Sequence, residues 1–308
     1  MFDYHKLTAT IIAQIEKGTD AWRMPWHKNA VADAPSFALP MNAATGANYQ
    51  GMNILVFWSA ANAMGYGSHV WATYKQWQSL GAQVRKSERG TFGIKWSAVK
   101  DRKAKDPANA RPVLIPCGFI VFNAAQVDGW SGELPKAKAD QLADLITPDA
   151  RADAVVAATG ADIRHGGTRA FYSPSLDFIG MPDHFRFGAD THGYYSTLLH
   201  ELSHWTGAKS RCDRTFGSKF GDDTYAMEEL VAELSAAFLC AATGISNEPR
   251  PDHAAYLASW LKVLKSDPKV LVTVASKAQA ATNYILSNLQ SPVTGDEDED
   301  AAPLPIAA

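Results

Sequence analysis

The sequence predicts an α+β protein with two regions, an N-terminal α+β region and a C-terminal, mainly helical region with a small sheet. The chain has 308 residues, 46% hydrophobic and 20% charged, as expected for folded domains of roughly 100–200 residues each. Residues 1–128 contain 14 basic and 8 acidic residues, giving +6, whereas the remaining 15 basic and 24 acidic residues give −9. Helix-like and strand-like segments alternate in the first region, and long helical segments dominate the second.

These shifts in charge and pattern suggest where the regions begin and end. We expect an N-terminal domain at 1–128, a connector at 129–150 and a second domain at 151–290. Residues 291–308 include five consecutive acidic residues followed by an Ala/Pro-rich end, which predicts a disordered acidic tail.

The periodicity of apolar residues predicts the elements of each region. In the first region we expect helices at 6–17, 52–64 and 73–80, and strands at 82–86, 93–99 and 113–123. A Lys/Arg-rich loop at 100–111 lies between the last two strands. In the second region we expect strands at 163–172 and 175–179, and helices at 153–159, 194–206, 224–242, 253–265 and 268–289.

Composition excludes several classes of protein. No apolar run approaches the ~18–20 residues that span a bilayer, and the N-terminus lacks an apolar signal-peptide segment. The three cysteines, Cys117, Cys212 and Cys240, are far apart and form no CxxC pair, so neither a disulfide framework nor a thiolate zinc site is indicated. We therefore expect a cytoplasmic protein with no membrane partner.

A metal-binding motif stands at His200-Glu201-Leu202-Ser203-His204. On a helix, positions i and i+4 share one face, so both imidazoles can bind one Zn²⁺ while Glu201 acts as the catalytic general base. Because HExxH also occurs by chance, a third ligand must decide between a metal site and a plain helix with two histidines.

The third ligand is expected from the next helix. The metzincin pattern would place a histidine at position 210, which is serine here, so that class is excluded. Glu229 and Glu233 lie four residues apart on one face of a largely apolar segment, and Glu229 is the predicted ligand. Glu233 can then hydrogen-bond the other nitrogen of a ligand histidine, and Glu228 is the alternative ligand.

Three protein ligands leave a coordination position open, as in catalytic zinc sites, and imply hydrolysis of an amide or a related carbonyl. Imidazole and carboxylate ligands also suit Mn²⁺ or another divalent metal. Tyr194 and Tyr195 are interpreted as packing residues rather than oxyanion donors. Structural roles are likewise the default for three isolated histidines: His165, His184 and His192.

The first region has the composition of a single-stranded nucleic-acid binder. Six of the nine tryptophans lie there among the basic residues, and single strands require cations along the phosphates and rings against the bases. The candidate DNA-binding residues are Arg23, Trp26, Tyr49, Asn53, Trp71, Tyr74, Lys75, Arg85 and Lys86. Each tryptophan taken singly favours the core, Tyr49 and Asn53 equally suit turn and cap roles, and Arg102, Lys103 and Lys105 equally suit a solvated loop.

The motifs in both regions resemble the ArdC family of plasmid antirestriction proteins, whose N-terminal region is similar to that of TraC primases. The resemblance rests on residues 22–26, 42–46, 49–53, 71–76, 122–126, 198–207, 228–233 and 255–261. It implies an N-terminal domain that binds single-stranded DNA, a C-terminal zincin-like metallopeptidase domain, and protection of incoming plasmid DNA from restriction during conjugation. At Ser87 the chain departs from the family pattern, which predicts glycine.

Three hypotheses follow. The first is a DNA-binding protein that also carries a metallopeptidase-like domain, and the second is a DNA-protecting binder whose metal site is structural or vestigial. The third is a peptidase with no nucleic-acid role, in which the charge of the first region serves solubility and its tryptophans pack in the core. An alternative is a metallopeptidase whose main activity is proteolysis of a host protein, with DNA binding only for targeting. The presence of Glu201 favours retained hydrolytic capacity, since a structural site needs no general base.

Overall fold

The computed structural model describes residues 8–9, 11–13, 16, 38–99, 113–135, 147–216, 223–246, 253–267 and 269–290. Within these residues the fold is a mixture of helices with three small sheets, which confirms the predicted α+β class. Several predictions lie outside the described residues: half of the helix at 6–17, the candidates Arg23 and Trp26, the basic loop at 100–111, and the acidic tail.

The N-terminal region is built around a four-stranded sheet. Its elements are β1 (Met41–Asn42), α1 (Met52–Met64), β2 (Val70–Ala72), α2 (Tyr74–Ser79), β3 (Gln83–Val84), β4 (Thr91–Val99), β5 (Val113–Asn123) and β6 (Val127–Asp128). The sheet order is β1-β2-β5-β4, with β1 parallel to β2 and the other pairs antiparallel. A separate pair, β3 with β6, lies beside α2.

A capping box at the N-terminus of α2 defines where this helix begins. The Thr73 hydroxyl accepts a hydrogen bond from the Gln76 amide, and the Gln76 side chain accepts one from the Thr73 amide at 2.9 Å. This reciprocal capping box fixes the first turn. The chain then reaches β3 after a turn at Leu80 and Gly81.

The C-terminal region contains two helices that pack against each other, a small three-stranded sheet and further helices. Its elements are α3 (Pro148–Thr159), β7 (Asp162–His165), β8 (Phe171–Ser173), β9 (Phe178–Met181), α4 (Thr191–Trp205), α5 (Asp223–Thr243), α6 (His253–Ser266) and α7 (Val270–Ser287). Strand β9 is central, parallel to β7 and antiparallel to β8.

One predicted strand of this region is wrong, and one predicted helix begins earlier than expected. The single strand expected at 163–172 is two strands, because Gly166 and Gly167 take positive φ values of 125° and 70° that interrupt extended backbone. Helix α3 begins within the predicted connector. Thr147 caps it by accepting a hydrogen bond from the Ala150 amide, and Pro148 occupies its first turn, where a missing N–H costs nothing.

One hydrophobic cluster joins the two regions. Side chains of α1 share it with side chains of α5, α6 and α7. The Trp58 and Phe238 rings lie 5.9 Å apart, and the Gly51 amide donates to Gln279 Oε1 at 2.8 Å. A separate core for each region was expected, so this continuity is a difference from the sequence prediction. Among the described residues, no helix is both long and apolar enough to cross a membrane.

Candidate functional site

Helix α4 carries the two histidines of the HExxH motif. Asp190 caps its first turn by accepting a hydrogen bond from the Gly193 amide at 2.9 Å. His200, ten residues after Asp190, and His204 lie one turn apart on a buried face, with ring centroids 4.8 Å apart. The motif is therefore on a helix, as its spacing predicts.

Helix α5 brings Glu229 to the same point. The Glu229 carboxylate lies 3.6 Å from Nε2 of His200 through one oxygen and 3.6 Å from Nε2 of His204 through the other. The three residues are buried, and one ligand atom from each lies within 4.8 Å of the others. Glu229, rather than Glu228, thus faces both imidazoles.

The far nitrogen of each imidazole also meets a carboxylate of α5. Glu233 Oε2 lies 3.7 Å from Nδ1 of His200, and Glu228 Oε1 lies 3.2 Å from Nδ1 of His204. Carboxylates in such positions fix the tautomer and orientation of a ligand histidine. Sequence spacing placed Glu233 beside a ligand histidine, although 3.7 Å is longer than the predicted hydrogen bond. It treated Glu228 only as an alternative ligand.

Arg214 is a component of the site that the sequence analysis missed. Its guanidinium donates to both oxygens of Glu228, at 3.0 Å and 2.8 Å, and to Thr206 Oγ1 and the Ser203 carbonyl. The residue is only 8% exposed. It follows a turn after α4 that folds back on the helix end, so no helical periodicity connects Arg214 to the motif.

Charges within this cluster shift the ionisation of its members. Burial by itself lowers the pKa of His204, but Glu229 and Glu228 outweigh burial and raise that pKa to about 10. Burial raises the pKa of the Glu229 carboxyl, and His204 and His200 more than reverse this, so it stays below its usual range. For Glu228, His204 and Arg214 likewise outweigh burial and lower the pKa. Cations thus hold both carboxylates ionised.

The geometry fits a divalent metal ion. Bonds of about 2.1 Å in a tetrahedral site place ligand atoms roughly 3.4 Å apart, close to the two 3.6 Å separations. The cluster also buries four carboxylates, those of Glu201, Glu228, Glu229 and Glu233. Among the described residues around them, Arg214 supplies the permanent positive charge, and further buried carboxylates favour a cation.

The neighbouring aromatic and histidine residues have the structural roles that were expected. Tyr195 donates a hydrogen bond to Asp153 Oδ1 at 2.8 Å, and the Tyr194 hydroxyl lies 2.8 Å from His165 Nε2. His184 packs beside the Tyr194 ring, and His192 Nδ1 accepts from the Ser246 amide. Glu201 lies between the two motif histidines on α4 and is buried.

Three of the candidate DNA-binding residues are engaged inside the N-terminal region. Trp71 is 1% exposed and stacks on Phe57, so its predicted role in base stacking is contradicted. Tyr49 is half-buried and accepts a hydrogen bond from Asn42, and burial raises its pKa to about 12. Asn53 exchanges two hydrogen bonds with the Ile94 backbone. Neither Tyr49 nor Asn53 presents a free recognition surface.

Other candidates converge on an open groove. Tyr74, Arg85 and Lys86 line a cavity of about 540 Å³ together with Gln83, Val84, Glu88, Phe122 and Asp128. Lys75 is exposed beside Tyr74 on α2. Glu88 and Asp128 form ion pairs with Arg85, at 2.8 Å and 3.4 Å, which reduces the positive charge that Arg85 contributes. The groove combines an exposed ring with cations.

Comparisons with known proteins match each region separately. Residues 3–126 match the model of the N-terminal domain of anti-restriction factor ArdC, and residues 150–277 match that of a zincin-like metallopeptidase. The antirestriction ArdC protein of plasmid R388 in its metal-free structure is 38% identical, with a TM-score of 0.74. That match covers 94% of this chain and 98% of the R388 chain.

The chain belongs to the ArdC family. The Mn(II)-bound structure of R388 ArdC is similar at 39% identity, with a TM-score of 0.72 and the same coverage. A relative from Sinorhizobium fredii (strain NBRC 101917 / NGR234), the uncharacterized protein y4eC, is 44% identical over 92% of this chain and 91% of its own length. The predicted ArdC membership is confirmed, and a Mn(II)-bound relative together with the zincin-like domain indicates a divalent metal.

The ArdC-family chain is also similar to part of a larger protein. Two DNA primases named TraC, both from Escherichia coli, are 35% and 36% identical over 97% and 94% of this chain. This chain spans only 28% and 20% of their lengths.

Proposed function

We propose that this ArdC-family protein binds single-stranded DNA and protects incoming plasmid DNA from restriction during conjugation, in the recipient cytoplasm. The observation that carries the proposal is the groove where Tyr74, Lys86 and Arg85 meet within a region of net charge +6. The Lys86 ammonium beside the exposed Tyr74 ring suits a phosphate beside an unpaired base, whereas Arg85 is paired with Glu88 and Asp128. Similarity to proteins named DNA primases supports the same ligand.

The proposed metal centre consists of His200, His204 and Glu229, with Glu233 and Glu228 orienting the two histidines. We propose Zn²⁺ as its resident ion, and the same donors accept Mn²⁺. When bound, the ion would supply Lewis-acid chemistry at a carbonyl oxygen. The Glu201 carboxylate would accept a proton from the attacking water.

Hydrolysis of a protein or peptide is the second candidate function. It is favoured by one observation: Glu201 lies buried on α4 between the two histidines that face Glu229. A structural metal site needs no such carboxylate. We nevertheless propose that protection depends on DNA binding, because a DNA coat hides many sites without recognising many enzymes.

DNA binding is tested with the full chain and a labelled single-stranded oligonucleotide at several salt concentrations, read by fluorescence anisotropy. Affinity should fall steeply with salt, and Lys86→Ala should reduce the slope of log K against log salt by about 0.7. Lys277→Ala, an exposed lysine on α7, is the matched control and should leave the slope unchanged. Binding that ignores salt would contradict the proposal.

The two candidate functions separate in Glu201→Ala. This variant should keep its metal content and its DNA affinity, while any peptide hydrolysis should fall by roughly 10²–10⁴-fold. Protection of conjugated DNA in a restricting recipient should persist. If protection disappears while metal content and DNA affinity are intact, hydrolysis is the mechanism.

A further inference from the structure

The longest strands of the N-terminal region form a two-stranded ribbon. Strands β4 and β5 pair without interruption from Thr91 opposite Val121 to Val99 opposite Val113. In an antiparallel pair, directly opposite residues share a face and alternate residues change face. The register therefore assigns Phe92 with Ile120, Trp96 with Pro116, and Ala98 with Leu114 to one face.

This face, which we call the ribbon face, exposes large apolar side chains. Trp96 is 52% exposed and Phe92 43%. Ile120 and Leu114 are exposed as well, although Ile94 between the two rings is buried. On the opposite face Val121 is buried in the core and Phe119 stacks on Tyr49 with centroids 6.2 Å apart. The opposite face therefore contributes Val121 to the core near this end, and the ribbon face contributes Ile94.

The Phe92 ring has a defined position on the ribbon face. It lies over Gly118, where a Cβ atom would come within 2.1 Å of the ring. The absence of a side chain at Gly118 lets the ring lie down on the strand. Trp96 follows four residues later, roughly 13 Å along the strand. Two exposed aromatic rings thus stand along one line.

The ribbon face continues into the groove described above. Phe122, two residues after Ile120 on the same strand face, lines that groove with Tyr74 and Lys86. A Cβ atom at Gly90 would meet both Ile120 and the Phe122 ring, so these two side chains are neighbours. A path of exposed rings therefore runs from Tyr74 through Phe92 to Trp96.

We propose that the ribbon face is a base-stacking platform for single-stranded DNA that enters or leaves the groove, with Trp96 and Phe92 as its rings. The proposal rests on the proposed function, since it assumes that the chain binds such a ligand. Base stacking on aromatic rings tolerates any sequence. Exposed apolar surface on a soluble protein marks an interaction site.

Charge selects DNA over a second copy of the chain as the occupant. Lys75 and Lys86 are exposed at the groove end of the ribbon face, and Lys95 is exposed on the opposite face of the ribbon. These cations complement phosphates, whereas two copies of a region of charge +6 repel each other. The sequence candidates Trp71 and Tyr49 are thereby replaced by Trp96 and Phe92.

The test measures oligonucleotide affinity of full-length Trp96→Ala and Phe92→Ala. Each should weaken binding about tenfold, within the range known for loss of one stacked base, and leave the salt slope unchanged because no phosphate contact is lost. Trp96→Phe should retain most of the affinity and Trp96→Leu should not. Phe185→Ala, an exposed aromatic in the C-terminal region, is the control and should bind as the wild type.

The outcomes separate this inference from the proposed function. Wild-type affinity in Trp96→Ala and Phe92→Ala, with the wild type binding DNA, overturns the platform alone. No DNA binding by the wild type overturns the proposed function and the platform with it. Sedimentation completes the test: a dimer that Trp96→Ala disrupts, at unchanged DNA affinity, assigns the ribbon face to a second copy instead.

Discussion

At the scale of single residues, the arrangement behind His204 decides how this centre is held. Glu228 contacts Nδ1 of His204, and both of its oxygens accept hydrogen bonds from the buried guanidinium of Arg214. Both carboxylate oxygens are occupied, so Glu228 stays directed at the imidazole. This explains physically why Glu229, one residue later, is the carboxylate that faces both Nε2 atoms.

The first residue-scale prediction concerns Glu228→Gln. An amide can keep one hydrogen bond to His204 but loses the negative charge that makes the imidazole a better ligand, so metal affinity should fall about 10- to 100-fold. The measurement is competition with a chromogenic chelator. Glu133→Gln, at an exposed position, should have wild-type affinity. Unchanged affinity in Glu228→Gln would show that Glu228 does not support the metal centre.

The second residue-scale prediction concerns Ser87, where the family pattern predicts glycine. Ser87 has a φ of 70°, a left-handed conformation that costs a non-glycine residue roughly 1–2 kcal/mol. Glycine relieves this cost but adds entropy to the unfolded chain. Ser87→Gly should therefore raise the free energy of unfolding by about 0.5–1 kcal/mol, measured by urea denaturation.

A matched serine controls for the loss of the hydroxymethyl group. Ser79 lies at the end of α2, so Ser79→Gly should lower the free energy of unfolding, as glycine does in helices. Destabilisation by Ser87→Gly of the same size as by Ser79→Gly would contradict the strain argument.

At the scale of elements, two helices must meet closely for the site to exist. Helix α4 supplies His200 and His204, and α5 supplies Glu229, with α4 and α5 packed against each other. Ala232 and Ala236 are buried three and seven residues after Glu229, on the same side of α5 by helical spacing. Small side chains there allow the two backbones to approach.

Ala232→Leu tests this close approach. Overpacking should destabilise the protein by about 1–3 kcal/mol and weaken metal binding, because it displaces Glu229 from the histidines. Ala280→Leu adds the same atoms at an exposed position of α7 and should change neither property. Thermal unfolding and metal titration provide the measurements. If Ala232→Leu is destabilised but binds metal normally, the close approach of α4 and α5 is not required for metal binding.

At the scale of the whole molecule, the N-terminal and zincin-like regions share a core. Trp58 on α1 packs against Phe238 on α5, and its indole N–H donates to the Ala38 carbonyl at 3.1 Å. Since this cluster contains residues of both regions, removing part of it should loosen both. A fragment of residues 1–128 would expose the α1 side chains that α5 and α7 cover.

Trp58→Ala should lower the free energy of unfolding by about 3–5 kcal/mol and speed hydrogen exchange in α5, although Trp58 belongs to the other region. Trp77→Ala is the control, because Trp77 is equally buried in a cluster confined to the N-terminal region. Its effect on exchange should be larger in β3 and β6 than in α5. Undisturbed exchange of α5 in Trp58→Ala would mean that the regions are energetically independent.

The sequence by itself determined the features that depend on short spacing along the chain. Two histidines four residues apart on a helix share a face whatever surrounds them, and Glu229 with Glu233 repeats that spacing on α5. The α+β class, and the helices at the motif and after it, followed from apolar periodicity. The excess of basic residues in 1–128 is likewise a property of the sequence alone.

Only the tertiary structure decided what depends on contacts between distant segments. Burial of Trp71 and exposure of Trp96 have no separate sequence signature, because an aromatic residue suits either a core or a stacking surface. Arg214 reaches Glu228 through a turn after α4, and α1 reaches α5 across most of the chain. Side-chain burial and pairing are properties of packed surfaces, and local spacing carries no information about which surfaces meet.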